Sequence, residues 1–136
     1  MKWKDWKMKP LKILVIDDEV VICSGCRMIL SDLGHTVDTC KTCKEGLDAI
    51  RKGNYHLVLL DMKLPDADGM EILKTVRVEK SEIYTVVMTG YATIKNAVSA
   101  MRLGAFDYLP KPFTDEELVA SVERAIKNGA GCRKTH

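Results

Sequence analysis

The sequence has no long apolar run and no strong excess of charge of either sign. None of its hydrophobic stretches approaches the roughly 20 residues that a membrane-spanning helix needs, and the first ten residues, MKWKDWKMKP, lack the apolar core of a signal peptide. The formal net charge is only +2 over 136 residues. These absences argue against a membrane protein and predict a cytoplasmic, single-domain globular protein.

The small net charge conceals an uneven distribution. Residues 1–10 carry four lysines and one aspartate, and Arg133 and Lys134 add two positive charges near the other end. The body of the chain therefore has a net charge of −3, which gives no basic patch for direct nucleic-acid binding. We expect residues 1–10 to form a basic extension, 11–128 the domain, and 129–136 a tail or the start of a linker.

Short apolar runs alternate along the chain with helical patterns. The runs at 11–16, 57–60 and 85–88 are rich in Val, Ile and Leu, as in strands buried on both faces of a parallel sheet, and 35–40 and 105–109 are weaker candidates. Each strand is followed by apolar residues spaced three or four apart, which predict the apolar face of a helix. These residues are Ile22, Cys26, Ile29, Leu30 and Leu33; Leu47 and Ile50; Ile72, Leu73 and Val76; Ile94, Ala97, Val98 and Met101; and Leu118, Val122, Ala125 and Ile126.

Glycines and a capping motif mark the ends of these helices. Four glycines follow helical stretches, at the position where a left-handed residue closes a helix. They are Gly34, Gly53, Gly104 and Gly129. Thr114 with Glu117 predicts a capping box at the start of the last helix. Five alternations of strand and helix without a low-complexity linker predict an α/β fold, in which helices cover both faces of a parallel sheet.

Polar residues follow four of the predicted strands where each strand ends. They are Asp17, Asp18 and Glu19 after the first strand, Asp61 after the third, Thr89 and Gly90 after the fourth, and Lys111 after the fifth. Because ligands of such sheets bind at the carboxyl ends of the strands, we expect these groups to converge. Clustered carboxylates repel one another unless a cation is present, and their hard oxygen atoms suit Mg²⁺.

A cation at this edge would also let a phosphoryl group approach the carboxylates. Lys111 and the Thr89 hydroxyl would bind phosphoryl oxygens, which leaves Asp61 to attack phosphorus and form an aspartyl phosphate. A single aspartate at a strand end often only caps a helix, and a lone lysine or threonine has equally ordinary roles. Since four strand ends supply groups suited to one reaction, we interpret Asp61 as a phosphate acceptor.

Four motifs, VIDDE, LLDMKLPDADGME, VVMTGYAT and GAFDYLPKPF, resemble the receiver domain of two-component response regulators. The resemblance extends from about Lys12 to Asn128, and the last motif is most similar to receivers of nitrogen-regulation-type transcription activators. It implies a doubly wound, flavodoxin-like fold with five strands in the order 2-1-3-4-5 and five helices. It also implies phosphorylation by a sensor histidine kinase, in signal transduction and transcription regulation, without turnover of an external substrate.

The resemblance assigns the metal-binding and acceptor roles to individual residues. Asp61 would carry the phosphoryl group and would promote its own phosphorylation and dephosphorylation. Mg²⁺ would be held by the side chains of Asp18 and Asp61 and by the backbone carbonyl of Lys63, with Asp17 acting mainly through water. Lys63 and Tyr91 would occupy positions that tune the lifetime of the phosphate.

The resemblance also implies a switch. Thr89 would turn toward the phosphoryl group, Lys111 would pair with it, the Lys111–Pro112 bond would be cis, and the Tyr108 ring would move inward. The change would be reported through helix four, strand five and helix five, residues about 93–127, to an output domain, a target protein or a second copy in a phosphorylation-dependent homodimer. Charges of both signs on this surface would suit an isologous contact. They are Lys95, Arg102, Asp107, Glu116, Glu117 and Arg124.

Two other classes of protein use part of this pattern. A phosphatase of the haloacid dehalogenase type needs a second aspartate as general acid two residues after the nucleophile, where this chain has Lys63. A flavodoxin-like cofactor binder needs a first loop rich in Ser, Thr and Gly to hold phosphate, where this chain has two Asp and one Glu. Both remain as less favoured alternatives.

The cysteines are the one feature that the receiver family does not require. Cys23 and Cys26 form one CxxC pair, Cys40 and Cys43 form another, and 13 residues separate the pairs, which is close to zinc-site spacing. Cys26 lies on the predicted apolar face of the first helix and is expected to be a small core residue. We expect reduced thiols, with a zinc or redox site as the alternative, and Cys132 is expected in the tail.

Overall fold

The computed structural model describes residues 9–90 and 93–132. Its strands are β1 Lys12–Ile16, β2 Thr36–Cys40, β3 Leu57–Asp61, β4 Tyr84–Thr89 and β5 Asp107–Pro110. All four neighbouring pairs are parallel, in the order β2-β1-β3-β4-β5. This confirms the predicted sheet and its strand order. Most of the predicted basic extension, Tyr91 and the last four residues of the predicted tail lie outside the described residues.

Five helices cover the two faces of the sheet. They are α1 Val20–Asp32, α2 Cys43–Lys52, α3 Met70–Glu79, α4 Ile94–Arg102 and α5 Asp115–Lys127. Side chains of α1 and α5 pack in one apolar cluster, and those of α2, α3 and α4 pack in a second one. Val86 belongs to the first cluster and Val87 to the second, because successive side chains of a strand point to opposite faces. Among the described residues, no helix has the length and apolar character needed to cross a membrane.

Helix α4 departs from the expected pattern. Its predicted apolar face is largely in solvent, because Ile94 is 85% exposed, Val98 43% and Met101 47%. The helix is only nine residues long, and the residue that it buries fully is Ala100. Spacing identified the apolar face of α4 correctly, but the part of the chain that the structure describes leaves most of that face uncovered.

The capping box at the start of α5 and the glycines after the helices match the expectations from the sequence, with one exception. The side chain of Thr114 accepts a hydrogen bond from the Glu117 amide and the reciprocal bond is present, which confirms the capping box. Three of the four glycines have positive φ angles between 98° and 117°. Gly53 does not: its backbone is extended, with φ −99° and ψ 173°. A Cβ atom there would lie 2.6 Å from the Tyr55 ring, so lack of space, and not a left-handed conformation, favours glycine.

Two histidines hold the start of β1. The amide of Leu11 donates to Nδ1 of His35 at 3.0 Å, and the amide of Lys12 donates to Nδ1 of His56 at 2.9 Å. His35 precedes β2 and His56 precedes β3, which are the two strands that flank β1. His35 is 4% exposed, and its burial lowers its pKa. The two histidines therefore join β1 to its two neighbouring strands at their amino ends.

We expect acid to destabilise the protein through His35. Because the pKa of His35 is lowered in the folded state, the unfolded chain binds the proton more readily as pH falls below about 6.5. The contribution of His35 to stability is therefore complete above that pH and is lost as pH falls through the lowered folded value. Urea unfolding at pH 7.5 and 5.5 would test this, with His35→Gln as a comparison that accepts a hydrogen bond but does not titrate. Equal losses of stability in both proteins would contradict the expectation.

Candidate functional site

Four carboxylates meet at the carboxyl edge of the sheet. Asp17, Asp18 and Glu19 follow β1, and Asp61 is the last residue of β3. One oxygen atom from each of the four lies within 4.8 Å of the others. Asp17 is fully buried and Asp61 is 5% exposed, whereas Asp18 and Glu19 are exposed. The structure thus brings together the three aspartates and Glu19, as their positions at the strand ends suggested.

Lys111 supplies the positive charge among these carboxylates. Its Nζ atom lies 2.8 Å from Oδ2 of Asp17, 2.7 Å from Oε2 of Glu19 and 3.5 Å from Oδ2 of Asp61. Burial disfavours the ammonium, but the contacts with Asp17 and Glu19 outweigh it and raise the pKa of Lys111. The peptide bond from Lys111 to Pro112 is cis, as the family resemblance implied. Lys111 is therefore a permanent cation at neutral pH.

One ammonium does not balance the negative charge at this edge. Burial raises the pKa of Asp17, and burial together with the charge of Asp17 raises the pKa of Asp61. The Oδ2 atom of Asp17 is buried and forms an ion pair with Lys111, but it accepts no hydrogen bond from the described residues. A buried, incompletely satisfied oxygen next to further carboxylates fits the hard oxygen ligands that Mg²⁺ prefers.

The loop after β3 is closed tightly around Asp61. The Gly69 amide donates to the Met62 carbonyl at 2.7 Å, and a Cβ atom on Gly69 would lie 2.3 Å from the Asp61 carbonyl oxygen, so only glycine fits. Lys63 lies within this loop, where its amide contacts Oδ1 of Asp61 at 3.4 Å. The Asp66 carboxylate accepts bonds from the first amides of α2, at 2.8 and 3.0 Å. These contacts fix the backbone that carries Lys63 next to Asp61.

Thr89 and Tyr108 lie together on the face covered by α2, α3 and α4. Thr89 ends β4, is fully buried, and its carbonyl accepts a bond from the Lys111 amide at 2.8 Å. Tyr108 on β5 pairs with Val87 and packs, half-buried, against the same apolar cluster. Burial raises the pKa of the Tyr108 hydroxyl, and a hydrogen bond from the backbone of Thr93 partly offsets this. The two residues proposed as a switch therefore occupy adjacent strands.

The cysteines do not gather at one point. Cys23 and Cys26 pack in the cluster under α1 and α5, and Cys43 packs in the cluster on the opposite face of the sheet. Burial raises the pKa of Cys26 to about 12 and that of Cys40 to about 11, so these thiols are protonated at neutral pH. Tetrahedral zinc needs all four sulfurs at about 2.3 Å. A sheet that separates Cys43 from the other pair argues against a shared zinc site, and the burial of Cys26 confirms its role in packing.

Sequence reasoning missed two ion pairs, one in the site and one at the amino end of β5. Glu19 was part of the acidic run but received no role, although it makes the shortest contact with Lys111. Asp107 was expected to be available to a partner, but it already accepts bonds from Arg124 and, at 2.8 Å, from the Ser121 hydroxyl. Those hydrogen bonds lower the pKa of Asp107 even though its partial burial opposes this. Asp107 and Arg124 thus neutralise each other within the molecule.

Comparisons with known proteins agree with this geometry. The family described as response regulator receiver domain matches residues 13–123. The cell cycle response regulator CtrA of Brucella ovis is 31% identical over 121 residues, which cover 89% of this chain and 52% of CtrA. The chain therefore spans about half the length of the curated relatives that it matches.

Solved structures give the same result. A CheY-like response regulator receiver domain protein from Methanospirillum hungatei JF-1 superposes with a TM-score of 0.84 and 30% identity, over 88% of this chain and 96% of that one. NtrX from Brucella abortus superposes with a TM-score of 0.82 and 37% identity, over 88% of this chain and 27% of that one. This chain is similar to a complete receiver in the first case and to a minor part of a longer regulator in the second.

We expect Mg²⁺ to stabilise the folded protein, because a cation offsets the repulsion among buried carboxylates. At a concentration about 100 times the dissociation constant, the gain is about 2.7 kcal/mol. Asp61→Asn removes one buried charge, so it should be more stable than wild type in chelator and should gain less from Mg²⁺. Thermal unfolding in EDTA and in MgCl₂ would measure both effects. Asp32→Asn, at an exposed residue on α1, is the matched control; an equal gain from Mg²⁺ in all three proteins would place the cation elsewhere.

Proposed function

This chain belongs to the response regulator receiver domain family, and on that premise we propose that Asp61 accepts a phosphoryl group from a sensor histidine kinase. The observation that supports Asp61 is its position. It is a nearly buried carboxylate at the end of a central strand, with a lysine ammonium 3.5 Å away and three further carboxylates beside it. The family acts in phosphorylation signalling, so the acceptor is a signalling device that is modified and later restored, not an enzyme that turns over a separate substrate.

The proposed transfer needs little more than positioning and neutralisation of charge. An oxygen of the Asp61 carboxylate attacks phosphorus as the phosphorus–nitrogen bond of a phosphohistidine breaks, and the electron pair of that bond leaves with the imidazole nitrogen. With acetyl phosphate as donor, the phosphorus–oxygen bond breaks and acetate leaves with the pair. Lys111 and the hydroxyl of Thr89 bind oxygens of the transferred group.

Mg²⁺ fits this proposal because the residues present suit it. Asp18 and Asp61 would hold the ion by their side chains and Lys63 by its backbone carbonyl, while Asp17 would act mainly through water. When bound, the ion neutralises phosphoryl oxygens that four carboxylates would otherwise repel. The haloacid dehalogenase alternative lacks support at the position of its general acid, since Lys63 stands there.

We also propose boundaries for the domain and the compartment in which it works. Residues 11–128 form the receiver, 1–10 are a basic extension, and 129–136 are a tail or the start of a linker to an output domain. The contacts of β1 with its neighbours support the first inner boundary. The packing of α5 supports a domain that reaches the end of this helix, and the buried Ala130 extends the packed part of the chain by two residues. The domain would work in the cytoplasm, where the kinase presents its phosphohistidine, and would contact neither nucleic acid nor membrane itself.

We expect Asp61 to be modified by acetyl phosphate only when Mg²⁺ is present. Intact mass spectrometry should show one added phosphoryl group on wild type and none on Asp61→Asn, since no other carboxylate in the cluster lies at the end of β3. EDTA should abolish the modification. Asp32→Asn carries the same change of side chain at an exposed site and should be phosphorylated like wild type. Modification of Asp61→Asn to the same extent as wild type would rule Asp61 out as the acceptor.

The signal is proposed to leave through α4, β5 and α5, residues about 93–127. A phosphoryl group adds roughly two negative charges and three acceptor oxygens. Thr89 satisfies one of these oxygens by moving toward Asp61, and the Tyr108 ring then fills the space beside β4. The phosphoryl group thereby favours one of two packings of the same surface.

The uncovered apolar face of α4 supports a protein partner at this surface. Ile94, Val98 and Met101 are four and three residues apart, so they form one exposed stripe on the helix. Charges remain around the stripe, although Asp107 and Arg124 are already paired with each other. A second copy of the chain would place the same stripe against itself in an isologous dimer; an output domain or target protein is the other partner that fits.

We expect beryllofluoride with Mg²⁺, a mimic of the aspartyl phosphate, to strengthen self-association by roughly 1–3 kcal/mol, the usual range of allosteric coupling. Sedimentation velocity with and without the mimic would measure this. Met101→Glu should abolish the increase, because it places a charge in the stripe. Val78→Glu on α3 makes the same kind of change at a residue that is 83% exposed but outside the surface, so it should behave like wild type.

One result would contradict the proposal that the signal leaves through this surface. If beryllofluoride occupies wild type but leaves both the association and the amide chemical shifts of residues 93–127 unchanged, the signal leaves the domain elsewhere.

A further inference from the structure

The ammonium of Lys111 contacts three carboxylates and lies closer to Glu19 and Asp17 than to the proposed acceptor. Its Nζ atom donates a hydrogen bond to Oε2 of Glu19 at 2.7 Å and contacts Asp17 at 2.8 Å, whereas Asp61 is 3.5 Å away. The Lys111 side chain is only 11% exposed, so water contributes little to its solvation. Its position therefore depends on which carboxylates compete for it.

Glu19 makes this contact in place of an ordinary capping bond. It occupies the N-cap position of α1 with an extended backbone, φ −87° and ψ 115°, but its side chain makes no bond to the helix. The threonine caps of α2, α4 and α5 each accept such a bond. The amide of Glu19 donates to Oδ1 of Asp17 at 2.9 Å, which fixes the turn. The Glu19 carboxylate is thus held toward Lys111, across 92 residues of sequence.

We propose that Glu19 is a positioning residue that competes with Asp61 for the ammonium of Lys111 until a phosphoryl group draws the ammonium to Asp61. This inference rests on the proposed function of Asp61. A phosphoryl group carries roughly two negative charges, against one on Glu19, so Lys111 exchanges partners when Asp61 is modified. The ion pair between Glu19 and Lys111 is lost in that exchange. Glu19 therefore weakens the binding of the phosphoryl group and sets how readily the domain enters its modified state.

Glu19→Gln tests the proposal, because it keeps the shape of the side chain and removes the charge. At saturating Mg²⁺, we expect the variant to bind beryllofluoride about three- to fivefold more tightly than wild type, the effect of one partly exposed ion pair. The acetyl phosphate concentration needed for half-maximal phosphorylation should fall by a similar factor. Glu19→Asp keeps the charge on a shorter side chain and should lie between the two. Glu82→Gln removes an exposed charge before β4 and should match wild type.

A second measurement separates this role from metal binding. Glu19 belongs to the carboxylate cluster, so it is also placed to bind the cation. The Mg²⁺ dissociation constant, measured by thermal unfolding without beryllofluoride, should change by less than about twofold in Glu19→Gln if the carboxylate serves Lys111. Weaker binding of both Mg²⁺ and beryllofluoride would make Glu19 a cation ligand and overturn the proposal.

The remaining outcomes separate the role of Glu19 from the function proposed for Asp61. Unchanged affinity for beryllofluoride in Glu19→Gln, with wild type binding it normally, overturns the role of Glu19 and leaves Asp61 as acceptor. Failure of wild type to bind beryllofluoride or to accept phosphate overturns the proposed function itself.

Discussion

Repulsion among buried carboxylates is the constraint on which the carboxyl edge of the sheet depends. Asp17 and Asp61 are almost without solvent, and burial raises the pKa of each. Lys111 offsets part of this repulsion but cannot satisfy four carboxylates at once. Such an arrangement is stable only because the rest of the fold holds it, and it makes the edge responsive to any added charge, whether a cation or a phosphoryl group.

The parallel sheet holds this cluster of carboxylates together. Every residue of β3 is buried, and its apolar residues are shared between two clusters on opposite faces. Full burial of a Leu or Ile contributes roughly 1.5–3 kcal/mol, so a few such residues compensate for an unfavourable carboxylate. At the other end of the sheet, the bonds from β1 to His35 and His56 fix the strand that carries Asp17. Hydrogen bonds at the amino ends of these strands and repulsion among carboxylates at their carboxyl ends thus act on the same sheet.

Local features of this fold were readable from the sequence, whereas distant pairings were not. The strands, the capping box at Thr114 and the glycines with positive φ depend on neighbours a few residues away. The convergence of Asp17, Asp61 and Lys111 could also be predicted from the sequence, because parallel strands bring their carboxyl ends to one edge. The contact of Glu19 with Lys111 could not be predicted from the sequence, since it depends on the distance between two loops far apart in the chain. The exposure of α4 was missed for a related reason: periodicity shows which face is apolar but not whether anything covers it.

The distribution of the thiols has a practical consequence for spectroscopy. Cys23, Cys26 and Cys43 are buried, Cys40 is half-buried, and burial raises the pKa of all four, so their reactive thiolate forms are scarce. Cys132 is exposed and lies beside Lys9, next to the start of β1 and so at the far end of the sheet from Asp61. A maleimide dye added in limited amount therefore labels Cys132 first, without mutagenesis. The native chain thus carries its own attachment point for a fluorophore, remote from the acidic edge.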